Sequence, residues 1–138
     1  MKPNRAIVAV GSNIDPRENL RKARLLIEGK HRLFAISGVR ETPPFGNLNQ
    51  PNFLDMALGL ETELDLAALS ASLKTIENQL GRTRSPETRF GPLTIDLDVL
   101  VWNGEIVDED FYRHSFLREE ALEVDPELKW EKEKIVKG

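Results

Sequence analysis

Two aspartates, Asp96 and Asp98, stand two residues apart in Thr94-Ile95-Asp96-Leu97-Asp98-Val99-Leu100-Val101, an otherwise apolar run. Read as a strand, the run sends both acids from one face, with Ile95, Leu97, Val99 and Val101 on the other. Two like charges on one side of a core strand are costly unless something cationic sits between them. Just upstream, Gly81-Arg82-Thr83-Arg84-Ser85-Pro86-Glu87-Thr88-Arg89-Phe90-Gly91-Pro92 sets three arginines against one acid. Carboxylates suited to a divalent metal, beside arginines, are the equipment of phosphoryl transfer from a nucleotide. Each part also has a plainer reading: the aspartates as solvent-facing residues of an open sheet face, Arg82 and Arg84 as cations at a helix C-terminus.

Composition narrows the classes. The chain has 138 residues, 40% hydrophobic and 30% charged, as expected of one globular domain spanning 1–138 with a proper core. No apolar stretch approaches the roughly 20 residues of a membrane helix, and Met1-Lys2-Pro3-Asn4-Arg5 leads into a short strand-like run without the apolar core of a secretion signal. The absence of cysteine excludes disulfides, thiolate metal sites and cysteine nucleophiles, and fits a cytoplasmic location. A net charge of −4 argues against nucleic acid as a partner and favours a small anionic ligand met by local positive charge. Two distant histidines, His31 and His114, give no zinc pattern, and no Gly-rich P-loop or dinucleotide fingerprint is present.

The elements that must carry these residues follow from periodicity. Ala6-Ile7-Val8-Ala9-Val10 reads as a buried strand broken by Gly11-Ser12-Asn13. Asp15-Pro16-Arg17-Glu18 opens a helix with an acid cap and proline in first position, its stripe is Leu20, Ala23 and Ile27, and Gly29 ends it. His31 to Val39 reads as a second strand, and Glu41 to Asn52, with Pro43, Pro44, Gly46 and Pro51, as a stiff loop. Phe53 to Glu61 alternates, with Phe53, Asp55, Ala57 and Gly59 sharing one face. Asp65 caps a second helix with stripe Leu66, Leu69, Leu73, Ile76 and Leu80, ended by Gly81. The aspartate strand follows, then a turn at Asn103-Gly104 into Glu105-Ile106-Val107, weak helical character over Ala121 to Leu128, and a charged tail. The order predicts an α+β domain: a ferredoxin-like βαββαβ antiparallel sheet with two helices packed on it.

Four motifs occur in order: Val10-Gly11-Ser12-Asn13; Glu41-Thr42-Pro43-Pro44-Phe45-Gly46 with Gln50-Pro51-Asn52-Phe53-Leu54-Asp55; Gly81-Arg82-Thr83-Arg84; and Arg89-Phe90-Gly91-Pro92-Leu93-Thr94-Ile95-Asp96-Leu97-Asp98. Together, over roughly residues 5 to 107, they resemble the 6-hydroxymethyl-7,8-dihydropterin pyrophosphokinases of folate biosynthesis. The resemblance implies transfer of pyrophosphate from ATP to the hydroxymethyl group of the pterin, with release of AMP. It implies two Mg2+ ions held by Asp96 and Asp98 against the ATP phosphates, with Arg82 and Arg84 clamping the triphosphate. It places Glu77, Arg89, Phe90 and His114 near the nucleotide, and Thr42, Pro43, Phe45, Phe53 and Asp55 in the pterin pocket.

The chain departs from the family pattern at several points. Phe53 and Asp55 stand where the family usually has tyrosine and asparagine; Leu93 replaces a signature arginine; and the segment after Phe116 is shorter and more acidic, with Phe116 and Arg118 the candidates for its aromatic and cationic duties. These departures keep a second reading open, a catalytically weak or inactive pterin- or nucleotide-binding relative with a regulatory or assembly role. A third is a bare interaction domain using its open sheet face. Oligomeric state is not readable.

Overall fold

A computed structural model of the protein describes residues 2–44, 48–82, 92 and 94–136. The β-branched run around Val8 lies in β1 (Asn4–Ser12), and α1 (Pro16–Glu28), β2 (Arg32–Ile36), β3 (Arg40–Thr42), β4 (Phe53–Thr62) and α2 (Leu66–Gln79) follow. The acid pair lies in β5 (Asp96–Trp102), succeeded by β6 (Glu105–Ile106), α3 (Asp110–Arg113), α4 (Ser115–Val124) and a 3-10 turn at Lys132–Lys134. The strands form one sheet in the order β2-β4-β1-β5-β6, with β3 also pairing with β4, and every pairing is antiparallel. Removing the short β3 and β6 leaves the expected α+β arrangement, βαββαβ.

Two apolar layers cover the sheet. On one side Leu20, Ala23 and Ile27 of α1 and Leu69, Leu73 and Ile76 of α2 pack on Val8, Val10, Met56, Leu58 and Leu97. Full burial of side chains of this size stabilises by about 1.5–3 kcal/mol each, so the two helical stripes anchor the fold. On the other side Ile7, Ala57 and Leu100 meet Phe111 of α3 and Leu117, Ala121 and Val124 of α4. Gly59 makes this second contact possible: a Cβ there would lie 2.6 Å from Phe34 Cζ and 2.7 Å from Val124 Cγ1.

Several details differ from expectation. Asp15 precedes α1 but adopts φ 40°, ψ 53° and makes no side-chain cap bond; Asn19 Nδ2 instead donates to the Ile14 carbonyl at 2.5 Å. Gly29 ends that helix with φ −69°, so its left-handed freedom is unused, whereas Gly81 after α2 has φ 91°. Asp65 does cap α2, accepting from Ala68 N at 2.7 Å. The Pro-rich loop is shorter than its sequence suggests, because Glu41 and Thr42 pair with Leu54 and Phe53 in β3–β4. The β2 strand ends at Ile36 rather than Val39.

The region after Asp108 is more helical than its pattern predicts: α4 starts at Ser115, six residues before Ala121. Finally, β5 does not keep one alternation throughout. Ile7 pairs with Val101 but Val8 with Val99, leaving Leu100 as a bulge, so Val101 joins Leu100 in the second layer instead of sharing a face with Leu97.

One polar side chain sits deep in the second layer. Glu120 of α4 is fully buried, and neither carboxyl oxygen has a hydrogen-bond partner among the described residues. Burial, then the charge of Asp55, pushes it from the ordinary 4.5 to about 8, with Glu123 and Glu119 adding and Arg40 opposing.

Two stability measurements test this architecture. Gly59→Ala should lower the free energy of unfolding by about 1–3 kcal/mol, read from denaturant midpoints, because Phe34 and Val124 must give way. Glu120 holds its proton in the folded chain up to about 8 and releases it from 4.5 upward when unfolded, so its contribution fades as pH rises through that window. The melting temperature of Glu120→Leu relative to the parent should therefore rise between pH 5 and pH 9. A constant difference would show that the carboxyl titrates normally.

Candidate active site

Register brings three positions side by side across the sheet. Gly11 in β1 pairs with Asp55 in β4 on one side and with Asp96 in β5 on the other, and Ala9 pairs with Asp98. Side chains of directly paired residues share a face, so Asp55, Asp96 and Asp98 all emerge beside α4. Between them Gly11 offers no side chain, and a Cβ there would stand 2.9 Å from Asp55 Oδ1. A glycine at this point therefore keeps a trough open between two acids.

The electrostatics of the trough are those of crowded carboxylates. Asp55 is buried, and desolvation lifts it to about 6, opposed by the hydrogen bond from Thr42 and reinforced by the Asp96 charge. Thr42 is itself buried and donates its hydroxyl to Asp55 Oδ2, fixing the carboxylate's direction. Asp98 lies well above the ordinary carboxylate range: restricted solvation in the cleft comes first, the neighbouring Asp96 second, and Arg82 pulls the other way. Asp108 is raised as well, chiefly by desolvation.

Arg82 answers part of this charge. Its Nη1 lies 2.6 Å from Glu77 Oε2 and 2.9 Å from Asp96 Oδ1, and donates to the Ile95 carbonyl at 3.3 Å. Glu77, only 2% exposed, also accepts from Leu97 N at 2.8 Å. One carboxylate at the end of α2 thus holds both the guanidinium and the start of the acid-bearing strand.

Two cavities share the acidic wall. The first, about 150 Å3, is lined by Gly11, Phe53, Asp55, His114, Phe116, Leu117 and Glu120 together with Asp96, Asp98 and Asp108. The second, about 360 Å3, is lined by Ser70, Lys74, Glu77, Arg82 and Val107 with the same three aspartates. Aromatic faces and carboxyls make the first suited to a flat heterocycle bearing N–H donors. The second sets Arg82 and Lys74 among four carboxyls, a lining that suits an anionic group carrying its own cation.

Of the residues singled out from sequence, Asp96, Asp98, Glu77 and Arg82 come together at this wall, and Phe53 and Asp55 line the first cavity. Thr42 acts on that cavity through Asp55. His114 lines the first cavity with Phe53 rather than the second, its ring stacked on Phe116 at 5.8 Å between centroids. Pro43 is exposed and lines neither cavity, and Arg118 instead donates to the Phe111 carbonyl at 2.8 Å. Phe45, Arg84, Arg89, Phe90 and Leu93 lie outside the described residues.

Sequence reasoning misses Asp108, Lys74 and Glu120. The last had a signal: an acid in the helical stripe Leu117, Glu120, Ala121, Val124, which becomes visible once the helix is begun at Ser115.

The site suits a hard divalent cation through its donor chemistry. Among the described residues no group of three or more acids or histidines is placed to hold a metal unaided. Two same-face carboxylates, one of them raised toward protonation by restricted solvation and then by the other's charge, match an ion such as Mg2+ that takes one or two protein carboxylates and fills its remaining positions with water and phosphate.

The comparisons with known proteins agree with this geometry. A family model described as 7,8-dihydro-6-hydroxymethylpterin-pyrophosphokinase (HPPK) matches residues 7–126. A relative from Bacillus subtilis (strain 168), named 2-amino-4-hydroxy-6-hydroxymethyldihydropteridine pyrophosphokinase, is 38% identical over 110 residues, 78% of this chain and 65% of its own length. Proteins of the same name from Methylorubrum extorquens and Pseudomonas aeruginosa are each 36% identical, over 88% and 75% of this chain and 79% and 65% of theirs. The chain therefore spans just under two thirds of the Bacillus and Pseudomonas relatives. With most of its length matched by the model, and with the acid strand and the Arg82 turn inside the matched span, this chain belongs to the 7,8-dihydro-6-hydroxymethylpterin-pyrophosphokinase family.

Proposed function

We propose that the protein transfers pyrophosphate from ATP to the hydroxymethyl group of 6-hydroxymethyl-7,8-dihydropterin and releases AMP. The observation that carries this reading is the wall of Asp96 and Asp98 between an aromatic, carboxyl-lined cavity and one in which Arg82 and Lys74 stand among the carboxyls. A group passing from one substrate to another must cross such a boundary, and transfer without a covalent enzyme intermediate asks only that donor and acceptor meet there in line. The hydroxymethyl oxygen bonds to the β-phosphorus, the bond from that phosphorus to the α,β-bridging oxygen breaks so that this oxygen leaves with AMP, and the hydroxyl proton passes to solvent water.

The residues divide the work. The Phe53 ring offers a stacking surface and Asp55, aimed by Thr42, accepts N–H groups of the pterin. Asp96 and Asp98 would hold two Mg2+ ions, whose bound chemistry is to neutralise phosphate oxygens and orient the hydroxyl. Arg82 stands in the second cavity with Lys74, where a guanidinium pairs with phosphate oxygens bidentately. Glu77 keeps Arg82 in place when Asp96 turns to other partners. Arg84, Arg89 and Phe90 complete the nucleotide side, and Phe45 and His114 the remaining contacts, on the strength of the resemblance. No described helix is long and apolar enough to cross a membrane, and a cytoplasmic location belongs to the same proposal.

Two kinetic measurements test it. Asp96→Ala and Asp98→Ala should each cut AMP formation from ATP and the pterin by about 100-fold or more, since each removes charge stabilisation at the transferring group. Full turnover in both variants would end the proposal. Phe53→Ala should raise KM for the pterin about 10-fold through loss of ring stacking, with KM for ATP little changed. Equal effects on both substrates would contradict the division into two cavities.

A further inference from the structure

Among the described residues, Glu120 is a buried ionisable side chain that lines the substrate cavity and has no duty in the catalytic scheme. Glu120 is fully buried on α4, both of its carboxyl oxygens lack partners among the described residues, and it lines the cavity that holds Phe53, Asp55 and Phe116. An unsatisfied buried polar group is costly, and one whose residue lines a cavity can be met by a ligand that supplies the missing bond. Arg40, whose charge opposes the shift, does not bond it: Nε and Nη2 reach Glu119 at 3.5 Å and Glu123, and the buried Nη1 has no partner among the described residues. Glu120 therefore closes no ion pair among the described residues.

The cavity presents two carboxyls of different character to one occupant. Asp55, at about 6, is mostly ionised at neutral pH and accepts hydrogen bonds. Glu120, at about 8, is mostly protonated and can donate one and accept another. A flat heterocycle whose rim alternates N–H donors with ring-nitrogen or carbonyl acceptors satisfies both at once; an apolar ligand satisfies neither, and a purely anionic one meets Glu120 but is repelled by Asp55.

The geometry points to Glu120 as a second polar anchor for the heterocycle in the first cavity, across from Asp55, recognising an adjacent donor and acceptor on its rim. This rests on the proposed pterin substrate and deepens it: specificity for the ring is shared between β4 and α4. The acid also tunes the site against imposters, because a ring lacking that edge would leave a carboxyl buried and unbonded.

Calorimetry with 6-hydroxymethylpterin, Mg2+ and a non-hydrolysable ATP analogue tests the assignment on three proteins. Glu120→Leu should weaken pterin binding by about 10-fold or more, in line with loss of a buried hydrogen-bonding pair, while affinity for the ATP analogue stays within about 2-fold. The same variant should melt higher than the parent, an outcome that a structural role for the acid would not produce. Glu120→Gln, which keeps one donor and one acceptor, should bind the pterin more tightly than Glu120→Leu. Parental pterin affinity in Glu120→Leu, equal weakness in both variants, or failure of Glu120→Leu to fold would each overturn the assignment and leave the proposed reaction standing. A parent that does not bind 6-hydroxymethylpterin at all would overturn both.

Discussion

Repulsion among acids on one sheet face is the constraint around which the rest of this molecule is arranged. Asp55, Asp96 and Asp98 are forced into proximity by strand register alone, since Gly11 pairs with the first two and Ala9 with the third. Left in water such a row would spread; left in a core it would be protonated or would unfold the sheet. The protein lets Asp98 rise toward protonation and holds the row in place by other means. It backs the other side of the sheet with two apolar helices, so that the strands cannot shift, and it brings one guanidinium to the acids from the end of α2. Among the described residues the acids here outnumber the cations, the charge pattern that a divalent ion would answer.

The same constraint explains why Glu77 is buried beneath the site. A carboxylate with 2% exposure would ordinarily destabilise its helix, but here it accepts from Arg82 and from the Leu97 amide and so is saturated. It converts the end of α2 into a bracket for β5. Packing on the apolar side and charge on the polar side are thereby fastened through one residue, and the acid strand cannot move independently of the helix that carries the cation.

Much of this is legible before any coordinates. Alternation in Phe53–Glu61 marks β4 and correctly separates the Met56 face from the Asp55 face, because a half-buried antiparallel strand leaves a period of two. The helix after Asp65 is equally plain, with both its cap and its apolar stripe realised. Asp96, Asp98 and Arg82 are found as a group because acids in an apolar run and clustered arginines are conspicuous compositionally. What stays hidden depends on tertiary context. The bulge at Leu100 leaves no local signature; Asp15 has the composition of a cap but a left-handed backbone that prevents one; and α4 has a weak pattern because its stripe contains Glu120. That acid looks like a break in a helix and is instead the helix's contribution to a cavity.

The bulge in β5 divides the strand into two halves that obey opposite parity. Upstream of Leu100 the odd residues Ile95 and Leu97 belong to the layer under α1 and α2; downstream Val101 crosses to the layer under α4 and Trp102 takes its place. An inserted residue at this point is thus already present and already absorbed. Excising Leu100 would restore an unbroken ladder and leave Val101, Trp102 and the aspartates opposite their present partners, at the cost of one buried leucine in the second layer. The hairpin end of the sheet and its acidic end are in this sense separately phased, and evolution of one need not disturb the alignment of the other.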